Sequence, residues 1–181
     1  MDEPFFHVGI LVRDVEGARA DFLAQLGVEF EPVHSQKITT GETIRFCYSL
    51  QGAPYIELVE MTGTGSWSPE QPDGFHHIGV CDPSVPARCT AFGNRVQVIA
   101  PGDDGSPRVL LTPPEALHGV RVEYFDAAVG TQLLTYLRGE RRGQAIQEFT
   151  VDTEPAVEVV AAAVESAAAP AAEPAEDLSA S

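Results

Sequence analysis

The sequence predicts an α+β fold of two repeated modules followed by a disordered C-terminal tail. Three observations carry that prediction. First, Phe6-His7-Val8-Gly9-Ile10 returns as His76-His77-Ile78-Gly79-Val80, with His7 and His77 70 positions apart. A repeat of this kind sets the architecture before any local assignment is made. Second, each copy is followed by a strand-like run that frames a carboxylate in apolar residues. These runs are Tyr55-Ile56-Glu57-Leu58-Val59 and Val120-Arg121-Val122-Glu123-Tyr124-Phe125. Third, the composition changes beyond Gln147, where Ala, Pro, Val and eight acids stand without a single Lys or Arg. Such a segment cannot bury enough apolar surface to order itself.

The elements follow in order. Phe5–Val12 reads as a strand. Asp14 can cap a helix over Val15–Leu26, in which Val15, Ala18, Phe22 and Leu26 share one face, and Gly27 is its stop. Val28–Phe30 and Ile38–Thr40 read as strand pieces. Glu42–Leu50 alternates, with Ile44, Phe46, Tyr48 and Leu50 on one face. Gln51–Pro54 is a turn and Tyr55–Met61 a strand. The Gly/Pro/Ser-rich stretch from Thr62 to Gly74 is a linker. Trp67 lies inside it, either pinning the loop to the core or walling a substrate site. The second module repeats the order: a strand at Phe75–Cys81, a short helix at Val85–Phe92, and strands at Arg95–Ala100, Arg108–Thr112 and Gly119–Phe125. A terminal helix is expected around Leu133–Arg138. The expected division is a first module at 4–63, a linker at 64–74, a second module at 75–127, a terminal helix at 128–146 and an acidic tail at 147–181.

Two imidazoles and two carboxylates thus stand at matching places in two modules. A carboxylate among Ile, Leu and Val is costly to bury unless it is paired or bound to a metal. If the modules pack about a pseudo-twofold, His7, Glu57, His77 and Glu123 converge. That donor set suits a divalent first-row ion (Ni, Co, Zn, Mn or Fe) with positions left open for substrate. Because alternate strand residues face opposite ways, His76 is expected to point away from this site.

The motifs His7-Val8-Gly9-Ile10-Leu11-Val12-Arg13-Asp14, Ile56-Glu57-Leu58-Val59-Glu60, Gly74-Phe75-His76-His77-Ile78-Gly79-Val80 and Gly119-Val120-Arg121-Val122-Glu123 resemble the vicinal oxygen chelate superfamily. That group includes glyoxalase I, methylmalonyl-CoA epimerase, extradiol dioxygenases and bleomycin-resistance proteins. The resemblance spans residues 5–126. It implies two βαβββ modules forming a curved mixed sheet around a metal held by His7, Glu57, His77 and Glu123. It also implies proton transfer next to a metal-polarised carbonyl, with Glu123 or Glu57 as base, and it suggests a homodimer. Glu42 is a looser candidate acid or base, since epimerases of this group carry a carboxylate near that place. Arg121, on the face of Glu123, is either a compensating charge or an anchor for a substrate carboxylate.

The net charge of −16 argues against nucleic acid and anionic membrane surfaces as partners. No apolar run is long enough for a transmembrane helix, and Met1-Asp2-Glu3-Pro4 opens no signal sequence. Cys47, Cys81 and Cys89 form no CxxC pair, which points to reduced thiols and a cytoplasmic protein. The expected partner is a small-molecule substrate. Three functions compete: a metal-dependent isomerase, epimerase or lyase; a non-haem iron dioxygenase; and a metal-free binding protein of the bleomycin-resistance type. A basic cluster for coenzyme A or glutathione is lacking, which weighs against both.

Overall fold

The computed structural model describes residues 5–139, so the acidic tail and the end of the expected terminal helix lie outside the described residues. Two successive βαβββ units are observed. The first runs β1 (Phe5–Val12), α1 (Val15–Leu26), β2 (His34–Lys37), β3 (Thr43–Tyr48) and β4 (Tyr55–Glu60). The second runs β5 (Gly74–Cys81), α2 (Val85–Phe92), β6 (Gln97–Pro101), β7 (Pro107–Leu111) and β8 (Arg121–Phe125), and α3 (Ala127–Leu137) follows. The eight strands form one mixed sheet in the order β2-β3-β4-β1-β5-β8-β7-β6. Strands β1 and β4 pair in parallel, as do β5 and β8, whereas β1 and β5 pair antiparallel. The two units therefore meet edge to edge along the β1–β5 seam, and the sheet continues through it.

Local signals explain most boundaries. The Asp14 carboxylate accepts from the Glu16 N–H at 3.1 Å, and Gly27 closes α1 in the left-handed conformation at φ 67°. Pro86 is tolerated in the first turn of α2, whose missing N–H has no partner to lose. Two expectations are corrected. Strand β2 occupies His34–Lys37 rather than Val28–Phe30 and Ile38–Thr40. It is a polar edge strand, paired on one side only, so it shows no apolar alternation. Helix α3 begins at Ala127, one residue before the boundary expected at 128 and six before the helical run expected around Leu133–Arg138. Asp126 caps it by accepting from the Val129 N–H at 2.7 Å.

The sheet separates two apolar layers. On one face Val15 of α1 packs with Phe30, Cys47 and Leu58. On the other, Ile44, Phe46 and Tyr48 of β3 join Phe6, Leu11, Ile99, Val109, Leu111, Phe125 and the α3 residues Val129, Leu133, Leu134 and Leu137. Leu26, expected on the packed face of α1, is 68% exposed. Cys47 and Cys81 are buried free thiols, as expected of small core residues. Among the described residues no helix is long and apolar enough to cross a membrane.

Candidate metal centre

The register across the seam builds the site. Glu57 of β4, Gly9 of β1, His77 of β5 and Arg121 of β8 lie in one cross-strand row. The neighbouring row holds Tyr55, His7, Gly79 and Glu123. Read in opposite directions the rows match, so His7 corresponds to His77, Gly9 to Gly79, Glu57 to Glu123 and Tyr55 to Arg121. Each glycine makes room for the histidine across the seam. A Cβ on Gly9 would lie 1.9 Å from Cε1 of His77, and one on Gly79 would lie 1.9 Å from Cε1 of His7. No larger residue fits with the rings in place.

Over these seats the four side chains meet on the inner face. The His7 and His77 Nε2 atoms are 3.1 Å apart. Glu57 Oε2 lies 3.0 Å from His77 Nε2 and 3.5 Å from His7 Nε2. Glu123 Oε2 lies 3.3 Å from each imidazole nitrogen. Both histidines are fully buried and both glutamates are only 6% exposed. Donors at such spacings surround a point roughly 2 Å from each, the bond length a first-row ion makes to nitrogen and carboxylate oxygen.

The chemistry of the cluster fits a cation. Two buried carboxylates face two imidazoles, and no aligned hydrogen bond reaches Glu123 Oε2. Burial favours the neutral form of His77. The nearby Glu123 and Glu57 carboxylates outweigh that and lift its pKa to about 9. Burial likewise disfavours the Glu123 carboxylate, but the nearby His7 and His77 imidazoles hold its pKa down at about 2. The carboxylates thus draw positive charge into a buried site, as a proton or as a metal ion.

His76 is placed differently from the parity expectation. Between the Gly9–His77 and Ile10–Phe75 pairs, β5 carries one extra residue, a β-bulge. The bulge turns His76 toward its neighbour, and its Nδ1 lies 2.9 Å from Nδ1 of His77. A matching irregularity between Phe5 and His7 makes Phe6 the counterpart of His76. The His77 ring is therefore braced by a hydrogen bond, whereas His7 has the Phe6 ring edge-on at 4.7 Å. Burial pushes the His76 pKa down to about 3, and the charge of His77 adds to this, so His76 stays neutral. Trp67, in a 3₁₀ turn of the linker, is 1% exposed with its ring 5.1 Å from that of His76. It backs the imidazoles from behind.

The remaining candidates sit apart from the ligand cluster. Glu42 accepts from the Thr64 N–H at 2.6 Å, the Thr64 hydroxyl at 2.7 Å and the Thr40 hydroxyl at 3.0 Å. The Thr64 hydroxyl above all lowers its pKa, which suits a clasp on the linker better than a proton acceptor. Arg121 reaches the Thr112 carbonyl at 3.4 Å, and among the described residues no ion pair joins it to Glu123. One group was not singled out from the sequence. Tyr48 pairs with Glu57 across β3–β4 and is 3% exposed. Burial, then the charges of Glu57 and Glu123, raises its pKa well above the usual phenol value, so it is a neutral donor beside the carboxylates. Its only sequence signal was its place on the apolar face of β3, which a core tyrosine shares.

Comparison with known proteins agrees with this geometry. The profile of the Glyoxalase/Bleomycin resistance protein/Dioxygenase superfamily matches residues 6–107. No curated protein sequence matches. Among solved structures, a variant of Streptomyces coelicolor methylmalonyl-CoA epimerase bound to 2-nitronate-propionyl-CoA is 25% identical, with a TM-score of 0.50 over 70% of this chain and 96% of that one. A methylmalonyl-CoA epimerase in complex with methylmalonyl-CoA and NH4+ matches with the same identity, coverage and TM-score. By its repeated units, its seam and its profile match, the chain belongs to the glyoxalase/bleomycin resistance protein/dioxygenase superfamily.

Proposed function

We propose that the protein is a metal-dependent isomerase, epimerase or lyase that moves a proton next to the carbonyl of a small-molecule substrate. The observation that carries this reading is the convergence of His7, Glu57, His77 and Glu123 at 3.0–3.5 Å in five of their six pairings. These residues would hold a divalent ion, which supplies Lewis-acid polarisation of a substrate oxygen when bound. Both carboxylates meet the imidazoles through Oε2, which leaves each Oε1 for a substrate proton. Glu57 or Glu123 takes the α-proton and returns it to the same carbon or its neighbour. The neutral Tyr48 phenol stabilises charge that develops on the substrate oxygen. The epimerase likeness supports this class of chemistry. A dioxygenase uses two histidines and one carboxylate, and the fourth donor at Glu57 weighs against it.

Elemental analysis of the wild type and of Glu123→Ala, both purified without chelator, tests the proposal. About one Ni, Co, Zn, Mn or Fe per chain is expected in the wild type and its loss in the variant. Deuterium wash-in from D2O at the α-carbon of short 2-hydroxy ketones, lost in Glu57→Gln or Glu123→Gln, would complete it. A wild type that takes no metal even after reloading leaves a binding protein instead.

A further inference from the structure

The space in front of the ligands is walled by Ile44, Phe46, Ile99, Val109, Phe125 and Leu133, and its polar groups are Glu57, Glu123, Tyr48 and Gln36. Its volume is about 50 Å³, room for roughly four heavy atoms. Helix α3 provides the wall that Leu133 forms. The helix is tied down at both ends. At its start Asp126 caps Val129 and is gripped by Arg108, whose Nη2 lies 3.2 Å from Asp126 Oδ1. Gly130 lets the helix press close, since a Cβ there would stand 2.4 Å from the Cys81 sulfur. At its end the Tyr136 hydroxyl lies 3.4 Å from His34 Nε2 on β2. The helix is thus tied to β7 through Arg108 and to β2 through His34, and Leu133 lines the space together with Glu57 and Glu123.

We propose that α3 turns the groove into a small apolar chamber, so that the substrate is a short aliphatic carbonyl compound with no phosphorylated carrier. This rests on the functional reading above and narrows its substrate. Charge points the same way. No Lys or Arg lines the chamber. Five arginines of the described chain are committed to carboxylates: Arg13 to Asp73, Arg19 to Glu16, Arg45 to Glu60, Arg88 to Asp82 and Arg108 to Asp126. A coenzyme A ester brings several phosphate charges, and no cation among the described residues that line the chamber would meet them. A head of a few carbons fits the volume, its oxygens facing the ligand cluster and its alkyl part the apolar wall.

The test uses the full chain loaded with Co(II), its metal content measured on every sample. Acetohydroxamate, a short aliphatic chelator with adjacent oxygens, should bind in calorimetric titration, and propionyl-CoA should not displace it. Leu133→Trp fills the chamber and should weaken acetohydroxamate roughly tenfold or more at unchanged metal content. Leu133→Ala enlarges it and should admit benzohydroxamate, which the wild type rejects; this arm decides if the Trp variant fails to fold. Xenon NMR reads the chamber without any metal, and the xenon shift should be present in wild type and absent in Leu133→Trp. A wild type without metal would overturn the functional reading, and the xenon response would still decide the chamber. Displacement by propionyl-CoA, benzohydroxamate binding to the wild type, or indifference of both ligands to position 133 would overturn this proposal.

Discussion

The Nδ1 atoms of His76 and His77 lie 2.9 Å apart, although the residues are consecutive in one strand. One of the two must donate, and the neutral His76 is suited to accept. When a metal takes the place of the Nε2 proton, that leaves the His77 proton on Nδ1 and its Nε2 lone pair on the ligand cluster. Brace residues of this kind typically change metal affinity by roughly 10–100-fold when removed. The other unit shows a tolerated alternative, because Phe6 occupies the corresponding place. His76→Phe should keep the fold and lose metal affinity by about that factor in competition with a chromophoric chelator. His76→Asn, which restores an acceptor, should recover part of it. Equal affinity in all three proteins would mean that packing alone orients His77.

Gly9→Ala and Gly79→Ala should each displace the histidine across the seam. The backbone tolerates alanine at both positions, so the clash is with the ring: 1.9 Å to Cε1 in each case. Overpacking of this sort costs about 1–3 kcal/mol. Both variants should melt lower and bind metal more than roughly tenfold more weakly, with unchanged far-UV circular dichroism. Normal metal content in either would show that the ring has another resting place.

The metal-free protein should be most stable near pH 6.5, because buried His76, its folded pKa lowered to about 3, costs stability progressively as pH falls below its unfolded value of 6.5. His77 has its folded pKa raised to about 9, so its contribution is full below the unfolded value of 6.5 and is lost as pH rises through 9. Glu123 has its folded pKa depressed to about 2, so its contribution is full above the unfolded value of 4.5 and is lost as pH falls through 2. Thermal unfolding in chelator across this range checks both limbs. Metal loading should also release the His77 proton below pH 9, so apparent affinity should rise with pH up to that point. A flat stability profile would contradict the charged His77–Glu123 pair.

Trp67→Ala should destabilise the fold by about 3–5 kcal/mol, as truncation of a buried aromatic does. The residue is 1% exposed and lies outside the lining of the chamber. Because its ring rests on His76, metal affinity should fall as well. Chemical denaturation and metal competition on the same variant separate the two effects. Loss of ligand binding with stability and metal affinity intact would instead make Trp67 a substrate wall.

The convergence of His7, Glu57, His77 and Glu123 was legible because the repeat set them in matching frames, and α1 was legible because Asp14 and Gly27 mark its ends. Strand β3 showed itself by Ile44, Phe46 and Tyr48. The misses have physical causes. Strand β2 is a polar edge and carries no periodic signal. The bulge at His76 inverts a parity argument, and nothing in a local run of residues announces it, since a bulge is a property of two paired strands. Helix α3 showed its helical pattern only from Leu133, because Gly130 interrupts it near the Asp126 cap. Tyr48 was visible as an inward residue, but its role depends on Glu57 standing beside it in the next strand.

The reciprocal seating of the imidazoles has one more consequence. β1 and β4 own His7 and Glu57, and β5 and β8 own His77 and Glu123, while each histidine rests on a glycine of the other unit. Neither half of the chain holds a usable half-site. An ion held by all four residues would bind the finished seam and not either unit alone, so loading would proofread assembly: a chain whose halves had paired in the wrong register would be left without metal and without activity.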